Sequence, residues 1–406
     1  MNPDPHHAAR SMPPYPRWLP TLLGCFIAVG PAATDMYLPA FPAVEASFHT
    51  APGTAQLTLA AWFAGLAVGQ IMQGTLSDRF GRRRPLAAGF VVFALAMAAG
   101  ALSTSLTMLT VLRFVAAIGA SAGMVVSRAI VRDVAEGHQG AILMARLMLV
   151  MGVAPILAPS LGAMFLEFGD WRLIFWFQTV YGASCAILAW RVLPETLPPE
   201  RRIEVGPMRI ITRYGTILRE PVFRAHALMG AAGTFCMFAY LGGSAPVFIQ
   251  GFGLSPSGFG LVFGLCSCGL IAGSQINARL LPRFGLSFML RVVCRVALAA
   301  ATVLLLVAWS GVHVLALIVA PIFVVLSCQG FSNGNTSIGA LARHAHQAGS
   351  AAALMGVGQF ALGASSGLLV GLLTDGTPRG MALLMFLGAL CMVIADLFRA
   401  RAGQPV

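Results

Sequence analysis

The 406-residue chain contains no lysine, and all 26 of its basic residues are arginine. Without lysine there is no Gly-x-x-x-x-Gly-Lys-Ser/Thr loop to cradle a nucleotide's phosphates, so direct ATP drive within this polypeptide is not expected. Charge of either sign is scarce. Only 10% of residues are charged, where soluble domains carry about 25%. With 58% hydrophobic residues and a mean hydropathy of +0.81, the surplus apolar surface has to face lipid. Also missing are a Ser/His/Asp grouping and a metal-ligand cluster, so the chain does not read as an enzyme. Cys266 and Cys268 lack a nearby His or further Cys to complete a metal site. All eight cysteines (Cys25, Cys185, Cys236, Cys266, Cys268, Cys294, Cys328 and Cys391) fall in apolar runs and read as small buried hydrophobes. No cleavable signal peptide is apparent, because the first apolar run carries an acid and leads into Pro-rich sequence; that run itself serves for insertion. The net charge of +12 does not point to nucleic acid, since the arginines punctuate apolar runs instead of forming one patch with interleaved aromatics.

What is present is a series of apolar runs, each long enough to cross a bilayer. The sequence is organised around Gly74 to Arg84, a cationic loop between two of them. Its arginines (Arg79, Arg82, Arg83 and Arg84) mark it as cytoplasmic. Asp78 there is placed to accept from backbone donors at a neighbouring helix N-terminus. Crossings are expected at about Trp18–Leu38, Thr54–Gln73, Pro85–Ser103, from Thr107 to the basic segment Arg128–Asp133, Ala141–Leu166 and Leu173–Leu193. After them comes the polar stretch Pro194–Pro221. A second set follows at about Phe223–Ile249, Ser257–Leu281, Phe288–Trp309, Val312–Asn335, Ser350–Thr374 and Arg379–Phe398. The expected organisation is an all-α polytopic membrane protein of 12 transmembrane helices in two six-helix bundles. Its parts are a disordered cytoplasmic tail (1–17), an N-terminal bundle (18–193), a cytoplasmic linker (194–221), a C-terminal bundle (222–398) and a second tail (399–406). Sliding Gly69–Gly81 onto Gly273–Gly285 matches the leading Gly, Leu76 with Leu280, and Arg79-Phe80-Gly81 with Arg283-Phe284-Gly285. Tyr37-Leu38 falls close to Tyr240-Leu241. Such internal repeats mark transporters.

Asp35 is the carboxylate placed well inside a crossing. Intramembrane acids cost about 2.5–3.5 kcal/mol and commonly mark ion or proton pathways, which makes Asp35 the proton-carrying candidate; its alternative role is to cap the outer end of the first helix. Arg113 lies at a matching depth on the fourth crossing and is its expected partner, or else a tie between helices. Gln70, Gln73, Gln275 and Asn277 either line a path or bond helices together, and His226 is expected at the interface. Gly152, Pro155, Pro159 and Gly162 bend one helix and let it pack closely. An ion gradient is the natural energy source.

These residues resemble the major facilitator superfamily, specifically its twelve-span drug and proton antiporters. Gly74-x-Leu76-x-Asp78-Arg79-x-Gly81-Arg82-Arg83 resembles the superfamily's signature loop, Arg113 with Gly119 the basic motif of the fourth helix, and the Gly152–Gly162 run the proline-glycine motif of antiporters in the fifth. The Bcr/CflA drug-resistance group is resembled through Asp35-Met36-Tyr37-Leu38-Pro39, Arg128-Ala129-x-Val131-Arg132-Asp133, Leu193-Pro194-Glu195-Thr196-Leu197 and Ala348-Gly349-Ser350-Ala351. The chain departs from these patterns at Ala116, where Gln is usual, at Ala163, where a Gly is frequent, and at Gly334, where Pro usually precedes Asn335. The resemblance implies the major facilitator fold and proton-coupled export of small amphipathic compounds such as bicyclomycin or phenicols across a bacterial inner membrane. It further implies protonation of Asp35 coupled to Arg113, and Asp78 stabilising contact between the halves in the outward-open state. Candidate cavity-lining residues are Tyr37, Gln70, Gln73, Tyr240 and Asn335. No cofactor beyond a proton gradient and no nucleic acid are expected, both termini are expected on the cytoplasmic side, and a monomer in the bilayer is the expected unit. Export of a metabolite or siderophore by the same mechanics is the alternative.

Overall fold

A computed structural model of the chain describes residues 15–135, 137–202, 207–344 and 348–401. Where water is excluded, a spanning run satisfies its backbone groups within itself by forming a helix. The described residues hold 12 helices long and apolar enough to cross a membrane, and no strand. The first span is α1 (Leu19–Asp35), continued by a 3-10 turn (Leu38–Ala40) and α2 (Phe41–Ser47). There follow α3 (Gln56–Phe80), α4 (Arg83–Ala101), α5 (Leu106–Val134), α6 (Gly137–Phe168) and α7 (Arg172–Arg191). The short α8 (Pro207–Arg219) leads to α9 (Pro221–Ala245) with its π-helical extension (Pro246–Gly251). The last spans are α10 (Pro256–Phe284), α11 (Leu286–Ser310), α12 (Leu315–Leu341), α13 (Ala348–Leu373) and α14 (Arg379–Arg401).

Helix α3 packs on α5, α4 on α5 and α7, and α1 on α5 and α6; in the later spans α9 packs on α12, α13 and α14, and α12 on α10 and α11. Two seams join these sets, α3 against α13 and α6 against α10. The glycines aligned in the sequence repeat do matching work. A Cβ on Gly69 would lie 2.7 Å from Ser121 Cβ on α5, and one on Gly273 would lie 2.1 Å from the Ser327 carbonyl oxygen on α12. Gly81 and Gly285 end α3 and α10 at φ of +87° and +74°, a backbone region costly for any residue with a Cβ.

Several expectations change. Most of the supposed loop Gly74–Arg84 is helix: α3 runs through Asp78 and Arg79 to Phe80, and α4 resumes at Arg83. A positive φ at Gly81 suffices to reverse the chain. The basic segment Arg128–Asp133 likewise belongs to α5. Glu45, between the first two expected crossings, sits buried in α2, where the backbone N–H groups of Gly53 and Ala55 donate to it at 2.8 and 3.1 Å. His226 is fully buried, with its Nδ1 2.9 Å from the Val222 carbonyl. Within the polar stretch 194–221, α8 buries Ile217 beside Phe223 and Met355. Residues 1–14 and 402–406 of the expected tails lie outside the described residues. Tyr15 packs into the core, and Arg399 is buried with Asp396 at 2.5 Å. Cys25, Cys268 and Cys391 are exposed on spanning helices, so they face the surroundings of the bundle rather than its core.

Gly69→Leu and Gly273→Leu are each expected to force a helix pair apart and destabilise the protein by about 1–3 kcal/mol, read as a lower melting temperature in detergent. Gly334→Ala, with no atom within 4 Å of the added carbon, is expected to leave the melting temperature unchanged.

Candidate functional site

Helix α1 stops in the middle of its span. Pro31 has no N–H to donate, and the last turn leaves carbonyls in need of donors. The Met36 N–H reaches the Ala32 carbonyl at 3.2 Å and Gln178 Nε2 adds a donor at 3.4 Å. Arg113 of α5 donates from one terminal nitrogen to the Ala33 carbonyl at 2.8 Å. A cation is well placed at a helix C-terminus, where the backbone dipoles leave partial negative charge. The guanidinium lies between two aromatic faces, 4.7 Å from the Tyr37 ring centroid and 4.3 Å from that of Trp62. Its Nε and second terminal nitrogen are buried without a partner.

Asp35, the last residue of α1, is 5% exposed, and among the described residues nothing donates a hydrogen bond to its carboxylate and no ion pair joins it to Arg113. The expected Asp35–Arg113 pair is therefore absent from this arrangement; Arg113 instead holds the backbone two residues before Asp35. Helix α6 touches the same break. A Cβ on Gly162 would lie 2.0 Å from the Met36 carbonyl oxygen. From there α6 runs along α10: Ser267 donates to the Pro155 carbonyl at 3.4 Å, and Gly152 faces Ile271. Tyr240 of α9 is buried and stacked on Phe263 of α10 at 5.3 Å.

The remaining candidates separate. Tyr37 is buried among Phe41, Phe175 and Arg113, and Thr58 donates to its hydroxyl at 3.0 Å. Gln73 donates to the Ile118 carbonyl at 3.3 Å, while Asn277 and Asn335 exchange hydrogen bonds at 2.9 and 3.0 Å between α10 and α12. These side chains tie helices together within a set. Gln70 faces Gly356 across the α3–α13 seam. The same seam is closed by Phe63 stacked on Phe238 of α9 at 3.7 Å, with Phe360 of α13 alongside at 6.2 Å from Phe238. Farther along, at the end away from the arginine-rich turn, Gln56 donates to the Gly242 carbonyl at 3.2 Å and Gln250 to Glu45 at 3.4 Å. Gln275 is exposed.

At the arginine-rich end, three stretches quoted separately above meet around one side chain. Arg82 bonds Asp78 at 2.5 Å, Asp133 of α5 at 2.8 Å and Ser77 at 3.1 Å. Glu195, beyond α7, accepts from the backbone N–H groups of Arg82 at 2.8 Å and of Leu197 at 3.1 Å, and Thr196 donates to Asp133 at 3.1 Å. Burial disfavours the Arg82 charge, yet the hydrogen bonds and charges of Asp133 and Asp78 outweigh it and hold the guanidinium's pKa above its ordinary value. Arg83 lies over the Trp190 ring at 4.8 Å and donates to the Trp190 carbonyl. Asp78 was expected to face a helix N-terminus; here it turns back to Arg82, one helical turn away. Asp133, Glu195 and Thr196 were not singled out as site residues, although each sits in a motif that carried the resemblance.

The family model described as Major Facilitator Superfamily matches residues 22–369. The chain belongs to this superfamily. It is 35% identical over 388 residues to the uncharacterized MFS-type transporter YdgK of Bacillus subtilis, covering 94% of this chain and 96% of that one. It is 30% identical over 382 residues to a bicyclomycin resistance protein homolog of Haemophilus influenzae, with coverage of 92% and 93%. It is also 30% identical over 363 residues to a chloramphenicol resistance protein of Pseudomonas aeruginosa, with coverage of 88% and 84%. Among solved structures, the fold matches a D-xylose-proton symporter with a TM-score of 0.74 at 14% identity, over 94% of this chain and 96% of that one. The chain is thus a multi-pass membrane transporter of the superfamily, with relatives named for drug resistance, and it is not an enzyme.

For this superfamily member, Gly81 is the most constrained point of the arginine-rich end. A Cβ there would lie 2.3 Å from Glu195 Oε2, at a φ of +87°. Gly81→Ala is expected to cost about 1–3 kcal/mol from backbone strain alone and to lower the yield of folded protein in a detergent melting assay. Glu195→Gln, which keeps an acceptor for the Arg82 N–H, is expected to fall less.

Proposed function

We propose that the chain is a proton-coupled antiporter that exports small amphipathic drugs of the phenicol or bicyclomycin type across the bacterial inner membrane by alternating access. The observation that carries this reading is the buried Asp35 carboxyl, unpaired among the described residues, at a helix break that Arg113 caps two residues earlier while two of its own nitrogens stay unpartnered. An ionised carboxylate there is not paired with any cation in this arrangement, and an unpaired buried charge is costly; a neutral, protonated Asp35 suits this state. Loss of the proton creates a negative charge that attracts the two unpartnered nitrogens of Arg113. Arg113 then turns from the Ala33 carbonyl toward Asp35, the cap on α1 is released, and the break touching Gly162 of α6 shifts. Because α6 is packed along α10, that local event is passed to the second set of helices. Residues 18–193 and 222–398 are the two moving bodies, and 194–221 is their link.

The Phe63–Phe238–Phe360 stack and the Gln56 and Gln250 ties close the end away from the arginines, which supports an inward-facing state if the arginine-rich end is cytoplasmic. The charge bias of connecting segments supports that orientation, with both termini cytoplasmic. The names of the Haemophilus influenzae and Pseudomonas aeruginosa relatives support drug export. The functional unit is one chain driven by the proton gradient.

The test is growth inhibition of a pump-deficient bacterium across a panel including chloramphenicol, florfenicol and bicyclomycin. Wild type is expected to raise the inhibitory concentration several-fold, and a well-expressed Asp35→Asn variant to return it to the vector level. Arg113→Ala is expected to lower it in part, and Asp78→Asn to slow transport without abolishing substrate binding. Undiminished uphill efflux by Asp35→Asn defeats the proton assignment, and resistance to no compound defeats drug export.

A further inference from the structure

The second set of spans carries an unbalanced charge. No acidic residue stands between Glu220 and Asp375, yet Arg279, Arg283, Arg291 and Arg295 occur in that stretch, all exposed. Among the described residues none of these four has a hydrogen bond or ion pair with the chain, and the nearby Asp396 is already held by Arg399. Arg279 and Arg283 lie on the last two turns of α10, Arg291 and Arg295 on the first turns of α11, so all four surround one end of the bundle.

Beside them is an apolar groove of about 370 Å³ between α10, α11 and α12. Its walls include Phe284, Phe288, Val292, Val296, Val324 and Ser327. Phe284 and Phe288 stack at 5.5 Å at its arginine-rich end and are 52% and 48% exposed. Residues three apart on a helix are surface neighbours, so Arg291 lies next to Phe288 and Arg295 next to Val292, along one flank of the groove. Arg295 is also deep. It stands nine residues into α11, about 13 Å along the axis at 1.5 Å per residue. A charged side chain exposed that far along a spanning helix is costly unless it finds a partner. Its apolar stem lets the guanidinium reach toward the headgroups, and among the described residues no carboxylate meets it there. A basic anchor alone would need arginines at the helix ends, not one two turns farther in beside a groove.

We propose that this groove is a binding site for one anionic phospholipid of the leaflet at the arginine-rich end. An acyl chain fills the slot between Phe288, Val296 and Val324, and the phosphate pairs with Arg291 and Arg295, with Arg279 and Arg283 adding attraction. The planar guanidinium forks of two arginines one turn apart suit bidentate contact with a phosphate. The bound lipid supplies the counter-charge that the sequence of these spans omits, and it braces α11 against α10 and α12. This site is independent of the transported substrate and of the proton reading above.

The protein purified in detergent is titrated with phosphatidylglycerol, phosphatidylcholine or inorganic phosphate, with bound lipid read by native mass spectrometry and stability by melting temperature. Phosphatidylglycerol is expected to bind one per chain and to raise the melting temperature, while phosphatidylcholine and phosphate do neither. Arg291→Gln/Arg295→Gln is expected to weaken phosphatidylglycerol binding on the order of 30-fold, from about 1 kcal/mol per arginine near a charged surface. Should that variant fail to fold, Val292→Trp, which fills the groove and keeps the arginines, is expected to abolish the one-to-one lipid. Equal binding of both lipids, a phosphate effect matching that of phosphatidylglycerol, or undiminished binding by the Gln and Trp variants would overturn the proposal. Dimers that dissociate in the Trp variant without any lipid effect would overturn it too, assigning the groove to a second copy of the chain.

Discussion

Everything near the middle of this molecule depends on the hydrogen bond from Arg113 to the Ala33 carbonyl. In hydrocarbon an unsatisfied backbone group costs several kcal/mol, so a helix can be interrupted there only where protein donors replace the missing ladder. Arg113 and Gln178 supply those donors to α1. Their presence permits the break, the break sets the buried Asp35 at a point where the backbone can rearrange, and Tyr37 and Trp62 cover the two faces of the cation. A charged residue deep in a membrane bundle is here part of the backbone's own hydrogen bonding before it takes part in any chemistry.

The two sets of helices communicate through places without side chains. Gly162 admits the Met36 carbonyl, Gly260 lies against Ser160, and Gly152 leaves room for Ile271, so α6 is in backbone contact with the break at one end of its motif and packed on α10 along the rest. The prolines of the same run supply bends and free carbonyls, one of which takes the Ser267 hydroxyl. At the arginine-rich end the logic is opposite: charge holds the geometry. Arg82 gathers Asp78, Asp133 and Ser77 while Glu195 takes its backbone N–H, which fixes the ends of α3, α5 and α7 to one another. That cluster is rigid in this state because nearly every donor of Arg82 is used; the Asp35 region has unused donors and is the part with freedom to change.

Much of this was readable in residues. The count and order of the spans follow from the apolar runs, and the repeat register from Arg-Phe-Gly. The importance of Gly152 to Gly162 follows from the unusual spacing of Pro and Gly. What could not be read was pairing. Asp35 and Arg113 stand at similar depths, and charge alone would join them, but the backbone carbonyl at Ala33 competes and takes the cation. Asn277 and Asn335, 58 residues apart, have no local signal that each is the other's partner. Asp133 and Glu195 were quoted for resemblance without a role, because a carboxylate at a helix end looks the same in sequence whether solvated or shared. Helix ends also shifted, most clearly at Gly74–Arg84, because polar residues in the last turns of a span do not end a helix and a glycine at positive φ does.

The sequence by itself determined that this is a twelve-span membrane protein with two related sets of helices, since apolar length and charge placement are one-dimensional properties set by the thickness and low polarity of lipid. It also determined the family, through residues whose spacing is local. The tertiary structure alone decided which donors meet which acceptors: that Arg113 caps α1 and leaves Asp35 unpaired, that Arg82 draws three distant stretches together, and that four exposed arginines with no ion pair among the described residues stand beside an apolar groove. Those outcomes depend on helix crossings tens of residues apart, where each buried polar group takes the best partner that packing brings within reach.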